Sequence, residues 1–485
     1  MKKTVLEIVD EVNCRFHNLD ITTRRKLVDE VSYFQPYAFH TPAYKLGRWD
    51  GKVHFCDIGA RTYINLLDRL LPIVQDEGYD IQLVDNRKQH TFTFQEVDAN
   101  SFSHKTWPAG HICAGQPIIL RDYQVEIINM FLANPQALQE ISTGAGKTLV
   151  TAALSSLVEP YGRTIVVVPS KQLVEQTEED YKNLGLDVGV LYGDRKDYTR
   201  THTICTWQSL ESLNKKSKNY DPGISLEDFV DNVQCIIVDE AHGAKADILK
   251  KLMTREFANI PLRWGLTGTI PLEESEKLPL IFSIGDIINE ITAKELQEKG
   301  VLSNLHVEIL QLKDPVMQFK NYHAELKWIE TNKRRMQWLA DHIIEQSEEG
   351  NTLVLVQHIP SGKLLQSLIP DSVFIHGTVK TKDRKKEYDK VKTADNKVII
   401  ATYGVASIGI DIPRIFNLYL LEPGKSFIRV IQSIGRSIRT ALDKNFANVF
   451  DITSTHKYSK RHLTTRKKYY RNAEYPFTIK KVDYL

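Results

Sequence analysis

The sequence predicts an α/β protein: two tandem parallel-sheet domains behind a small N-terminal domain that is either α/β or α+β. Three observations predict it. Short β-branched runs separated by helix-length stretches recur between about residues 120 and 300, as TIVVVP (164–169), HTICT (202–206), CIIVDE (235–240) and RWGLTG (263–268). A second series follows, in NTLVLVQ (351–357), SVFIHG (372–377), KVIIAT (397–402), FNLYLLE (416–422) and ANVFDI (447–452). Continuous apolar runs bounded by turn residues suit strands buried on both faces by crossover helices. Finally, 485 residues are too many for one core and fit about three domains.

Residues 1–95 form the predicted accessory domain. Val5, Ile8, Val9 and Val12 recur at helical spacing and predict a helical start, with YINLL and YDIQLV as strand-like pieces. Basic and aromatic residues there (Arg24, Arg25, Lys26, Lys45, Arg48, Trp49, Lys52, His54, Arg61) suit either contact with duplex DNA or a solvated rim. From 90 to 117 the chain is polar and irregular, broken by Pro108, Gly110, Gly115 and Pro117, except for an alternating, strand-like stretch at 91–94. Residues 96–300 and 301–455 hold the two series of apolar runs and are the predicted sheet domains. Residues 456–485 read as a C-terminal tail with nine Lys/Arg against two acids, and with Tyr458, Tyr469, Tyr470, Tyr475 and Tyr484 interleaved. Such a tail is either a solvated basic end or a nucleic-acid-binding extension.

Composition narrows the class. With 63 basic and 61 acidic residues the formal charge is +2, so binding to a polyanion has to rest on local patches. Five cysteines without a C-x-x-C pair argue against a disulfide framework and a structural zinc site, and for reduced thiols inside a cell. No run of 18 apolar residues exists, which disfavours a membrane span. Glu7, Asp10 and Glu11 interrupt the N-terminal apolar stretch, which makes it a poor signal peptide. The expectation is a cytoplasmic protein with no membrane partner.

ISTGAGKTL (141–149) precedes a helix-like apolar run. Gly144 and Gly146 let backbone N–H groups approach phosphate oxygens, because neither carries a Cβ, and the helix N-terminus beyond adds its dipole. Lys147 suits the β- and γ-phosphates, and Thr148 offers a hydroxyl ligand for Mg2+. Ile141 stands where the first Gly of G-x-x-x-x-G-K-[ST] belongs, so in isolation the stretch is either a nucleotide loop or a chance turn. CIIVDEAH brings Asp239 and Glu240 out at the C-terminal end of a buried strand, where open α/β sheets bind ligands. Asp239 suits the metal ion and Glu240 the activation of an attacking water. An acidic pair capping the next helix is the plainer alternative. Around QSIGRSIR (432–439), Arg429, Gln432, Arg436 and Arg439 gather on one side of a helix and Ile428, Ile431, Ile434 and Ile438 on the other. A solvated basic stripe has the same pattern.

In this order, ISTGAGKT, VDEAH and LTGT resemble motifs I, II and III of the superfamily 2 helicases and translocases, in their DEAH-box-like spelling. That superfamily commonly writes its phosphate loop without the first Gly, which accounts for Ile141. LRDYQ (120–124) resembles the adenine-side motif, with Gln124 for the base edge and Arg121 nearby. VVPSKQLVEQ (167–176) and CTWQSL (205–210) resemble motifs Ia and Ic, ATYGVASIGIDIP (401–413) motif V, and QSIGRSIR motif VI. In LTGTI the usual Pro is displaced, with Ile270 in its place and Pro271 next.

The resemblance takes in about residues 115–452 and implies two RecA-like domains, ATP and Mg2+ as cofactors, and an ATP-dependent DNA helicase. It implies catalytic roles for Lys147, Asp239, Glu240, Gln432, Arg436 and Arg439, the last two reaching the γ-phosphate from the second domain. It implies ATP contacts from Arg121, Gln124, Ser142, Thr143, Gly144, Ala145, Gly146, Lys147, Thr148, Gly409 and Asp411, with Thr148 and Asp239 at the metal. His242, Thr267 and Thr269 would couple hydrolysis to movement. Pro169, Ser170, Thr206, Gln208, Thr402 and Gly404 would touch DNA.

ITAKELQEKGVLS (291–303), TLVLVQHIPSGKLL and YKLGRWDGKVHF resemble the phage recombination helicases within the superfamily. That narrower likeness implies branched DNA substrates (R-loops with RNA, replication forks, Holliday junctions) in recombination, repair and replication control. Recombination or single-strand-binding proteins would be partners, inside an infected bacterial cell. An RNA helicase and a non-catalytic nucleic-acid-binding protein are the rival readings.

Overall fold

The computed structural model describes residues 2–109, 113–218, 225–241, 251–271, 273–377, 394–409, 414–424, 426, 430, 434–435 and 443–484. The chain divides into two compact units, residues 1–140 with 146–290 and residues 141–145 with 291–485.

The first unit opens on β1 (Lys2–Ile8), followed by β2 (Asn13–His17), β3 (Ser32–Phe34), β4 (Lys52–His54), β5 (Arg61–Tyr63) and β6 (Tyr79–Asp85). The predicted helical start is thus a strand. Thr4, Leu6 and Ile8 are buried and alternate with less buried neighbours, a period of two that outweighs the helical spacing of the valines. A mixed sheet runs in the order β5-β2-β1-β6, with β1 antiparallel to β2 and parallel to β6; β3 and β4 form a separate antiparallel pair. YDIQLV is a strand, but YINLL is not: Ile64–Leu66 is a 3-10 turn that leads into the helix Leu67–Asp76. Residues 91–94 are likewise no strand. Their alternation stacks the rings of His90, Phe92 and Phe94 at 5.9 and 5.8 Å, with Tyr161 edge-on to both phenylalanines at 5.2 Å.

The same unit holds the first large sheet, made of β7 (Gln136–Ile141), β8 (Arg163–Val168), β9 (Val188–Tyr192), β10 (Arg195–Asp197), β11 (His202–Thr206), β12 (Val233–Asp239), β13 (Leu262–Thr267) and β14 (Asp286–Ile291). Its order is β10-β9-β11-β8-β12-β13-β7-β14, and the pairs from β9 through β7 are all parallel, as the apolar runs predict. The small domain is no separate accessory: Leu6, Phe16, Leu27, Leu70 and Val74 share one core with Leu278, Ile281 and Phe282. Tyr63 stacks on Phe282 at 4.0 Å.

The second unit holds β15 (Asn304–Leu312), β16 (Thr352–Val356), β17 (Val373–Ile375), β18 (Val398–Thr402), β19 (Asn417–Leu421), β20 (Phe446–Ser454) and β21 (Phe477–Val482), ordered β17-β18-β16-β19-β20-β15-β21 with parallel pairing throughout. The segment expected as a tail belongs to this sheet. The helix Lys457–Asn472 packs on β20, and β21 pairs with β15 over Val307–Leu312. Arg466 is fully buried and donates to both oxygens of Asp451 at 2.8 Å, while the Tyr470 hydroxyl donates to the same carboxylate at 2.7 Å. All five cysteines are free thiols, Cys113 alone being exposed. Among the described residues no helix is long and apolar enough to cross a membrane.

Candidate nucleotide-binding site

The parallel strands β11, β8, β12, β13 and β7 end on one edge of the first sheet, and the predicted motifs follow those ends. At β7 the buried Ile141 closes the strand, and the loop turns through Gly144 (φ +92°) and Gly146 (φ +80°) into the helix Lys147–Val158. Both glycines occupy the left-handed region that side chains disfavour. A Cβ on Gly146 would come within 2.7 Å of Gln124 Nε2, so another residue there would displace the Gln124 amide as well as strain the backbone. Gln124 is itself held by its Oε1, which accepts the Arg121 N–H at 3.0 Å. Arg121 lies exposed beside it and donates to the Tyr123 hydroxyl.

Lys147 Nζ lies 3.0 Å from Glu240 Oε1. Glu240 follows β12 at φ +50°, an unfavourable conformation for a residue with a Cβ and one that recurs at functional sites. Its other oxygen, Oε2, accepts the Gly268 N–H at 3.4 Å, so a single carboxylate joins the phosphate loop, the DEAH segment and LTGT. Asp239 accepts the Glu240 N–H at 2.9 Å. Loss of water and the charge of Glu240 raise the Asp239 carboxyl above its ordinary value, with Lys147 opposing. Thr267 and Thr269 are buried; the Thr267 hydroxyl donates to the Thr269 carbonyl at 2.9 Å, and among the described residues Thr269 Oγ1 has no hydrogen-bond partner.

This arrangement fits a nucleotide triphosphate with its metal. The two left-handed glycines leave a cradle without Cβ atoms, Lys147 brings a cation to it, and the Thr148 hydroxyl and Asp239 carboxylate are the hard oxygen donors that Mg2+ takes.

The residues expected to touch DNA are distributed less simply. Ser170 follows Pro169 at the end of β8, and its hydroxyl accepts the Leu173 N–H at 3.3 Å, capping the helix Lys171–Asn183. Thr206 ends β11 with its side chain turned inward, 5% exposed and 2.9 Å from Ser209 Oγ, while Gln208 is exposed. In the second unit Thr402 ends β18, half-buried, and Gly404 lies exposed in the helix Tyr403–Gly409. Gly409 is the last residue of that helix. His242, Asp411, Gln432, Arg436 and Arg439 lie outside the described residues.

Two groups escaped the sequence reading. The Gly268 N–H that bonds Glu240 carries no signal, since every residue but proline has one. Glu140 does: an acid near the end of a buried strand, directly before the phosphate loop, is costly without a task. Its carboxylate accepts the Ile270 N–H at 3.2 Å.

Residues 117–272 match the family described as "Type III restriction enzyme, res subunit", and residues 334–441 match the helicase conserved C-terminal domain. The chain belongs to the superfamily 2 helicases. Its two large sheets are the tandem domains of an ATP-driven helicase; the nucleotide-site motifs fall inside the first matched range, and Thr402, Gly404 and Gly409 inside the second. The ATP-dependent DNA helicase uvsW of Enterobacteria phage T4 is 24% identical over 458 residues, 89% of this chain and 87% of that protein. The DNA 3'-5' helicase XPB of Kineococcus radiotolerans is 23% identical over 376 residues, 75% of this helicase and 65% of its relative. In fold the helicase is similar to the ATP-dependent Type ISP restriction-modification enzyme LlaBIII bound to DNA, at 14% identity and a TM-score of 0.54, over 86% of this chain and 34% of that one.

Proposed function

We propose that this helicase moves along DNA and unwinds or remodels branched nucleic acids, R-loops, replication forks and Holliday junctions among them, in recombination, repair and replication control. The observation that carries it is the Lys147–Glu240 pair at 3.0 Å, on the sheet edge shared by the strand-contacting segments after β8 and β11. The likeness to uvsW along nearly the whole chain supports the choice of DNA and of an infected bacterial cell.

In this reading Lys147 exchanges Glu240 for phosphate oxygens and, with Ser142, Thr143, Gly144, Ala145 and Gly146, holds the triphosphate. Gln124, Arg121, Gly409 and Asp411 orient the nucleoside. Thr148 and Asp239 would hold Mg2+, which would supply charge neutralisation at the phosphates. Glu240 takes a proton from water as its oxygen attacks the γ-phosphorus; the bond to the bridging oxygen breaks, and ADP departs with those electrons. Gln432, Arg436 and Arg439 stabilise charge at the γ-phosphate, and His242, Thr267 and Thr269 pass the change to the DNA-contacting residues.

ATPase activity measured side by side with duplex, single-stranded, forked and four-way DNA, an R-loop and RNA tests this. Branched DNA is expected to stimulate most strongly, and stimulation by RNA alone would overturn the reading. Glu240→Gln is expected to slow hydrolysis by roughly 10²- to 10⁴-fold while nucleotide still binds. Lys147→Ala is expected to lose nucleotide binding. Hydrolysis unchanged in both variants would show the site to be misassigned.

A further inference from the structure

The helix Lys457–Asn472 contains no acid, and its residues divide sharply around the axis. At 100° per residue, Lys457, Lys460, Arg461, Lys468 and Arg471 fall within an arc of about 100°, and all five are exposed. Ser459, Leu463, Arg466 and Tyr470 fall opposite them and are buried. The buried side is fixed: Arg466 and Tyr470 hold Asp451, and Ser459 Oγ lies 2.8 Å from Glu325 and 3.2 Å from Glu422. None of the five outward cations has an ion pair among the described residues. The two acids of the segment are engaged elsewhere, Glu474 by Lys294 and Asp483 by Lys313.

This concentration contrasts with the rest of the molecule. Residues 456–485 carry a surplus of seven positive charges in a chain of net +2, so the remaining residues are together net acidic at −5. The helix also starts at a functional place. It follows the C-terminal end of β20, and its first turns bond to Glu325 and to Glu422, which directly follows β19; Thr402 ends β18 on the same edge. That is the edge at which open α/β sheets bind ligands.

We propose that the outward face of this helix grips the phosphate backbone of the nucleic acid that the second unit travels along. The row runs from Lys457 to Arg471, about 21 Å at 1.5 Å per residue. It gives the motor a sequence-independent, salt-sensitive hold, with Tyr458 and Tyr469 half-exposed beside the cations. This rests on the proposed action on DNA.

The test is the salt dependence of binding to a labelled forked DNA, read by fluorescence anisotropy between about 50 and 200 mM KCl in the full chain. Changing Lys457, Lys460, Arg461 and Lys468 to Gln is expected to make the slope of log K against log salt shallower by about 3 to 4 for duplex arms. Arg at 457, 460 and 468 is expected to keep the wild-type slope. A melting temperature equal to wild type shows that the fold is kept; if the fourfold variant melts early, Lys460→Gln with Lys468→Gln is expected to flatten the slope by about 2. A folded variant with an unchanged slope would overturn the grip while leaving DNA translocation standing. A wild type that binds no DNA would overturn both.

Discussion

Glu140 accepts the Ile270 N–H, and a Pro at 270, the usual residue of the superfamily, would have none to give. The departure in LTGTI and the acid before the phosphate loop therefore form one feature. Burial pushes the Glu140 carboxyl up to about 7; Glu290 adds to the rise, and the Ile270 N–H and Lys147 oppose it. An acid with a raised folded value stabilises the fold fully below its ordinary 4.5 and loses that stabilisation as pH rises through about 7. Glu140→Gln keeps an acceptor but cannot ionise. Its stability is thus expected to gain on wild type from about pH 5 to about pH 8, by up to about 3 kcal/mol, in denaturation curves of the nucleotide-free protein. A gap that does not change with pH would remove the charge of Glu140 from this account.

At the level of elements, the central strands were legible because each is a continuous apolar run buried on both faces, as in RTIVVV and HTICT. Lys147, Asp239, Glu240 and the two threonines of LTGT stand out in the sequence because the chemistry expected of them depends on residue type. The edges do not. β21 shows a mostly exposed pattern and the helix before it is dense in cations, so a structural edge reads as a tail. β1 carries both periods: Val5 and Ile8, with Val9 and Val12 beyond the strand, fall at helical spacing, while Thr4, Leu6 and Ile8 alternate. What holds the C-terminal elements is invisible in sequence: an arginine paired in the core. Arg466→Met leaves Asp451 buried without its cation and is expected to cost about 3 to 5 kcal/mol, read as a lower melting temperature of the full chain. For the same reason, deleting residues 456–485 is expected to unfold the second sheet and not merely to weaken DNA binding. A shortened chain that kept its melting temperature would contradict the role assigned to β21 and Arg466.

Across the whole molecule, the compact units number fewer than the sequence domains, residues 1–140 and 146–290 forming one. Leu278, Ile281 and Phe282, on and beside the helix Glu274–Ser283 that follows β13, pack into the small N-terminal sheet. Asn65 donates to the Ile281 carbonyl at 3.0 Å, Gln136 to the Glu11 carbonyl at 2.7 Å, and Arg69 pairs with Glu274 at 3.1 Å. Hydrogen bonds and apolar contacts spread over both pieces cannot be broken in one while kept in the other, so the two are expected to unfold as one cooperative unit. The second unit has its own core around Leu310, Val354, Tyr419 and Ile452. Calorimetry of the nucleotide-free chain is therefore expected to resolve two transitions and not three. Phe282→Ala, which empties the space under Tyr63, is expected to cost about 3 to 5 kcal/mol and to lower one transition alone. Hydrogen exchange assigns it: amides of β1 and β7 should lose protection together, those of β16 and β19 not at all. An N-terminal domain that melted by itself, with β7 still protected, would make it the separate accessory that the sequence suggests.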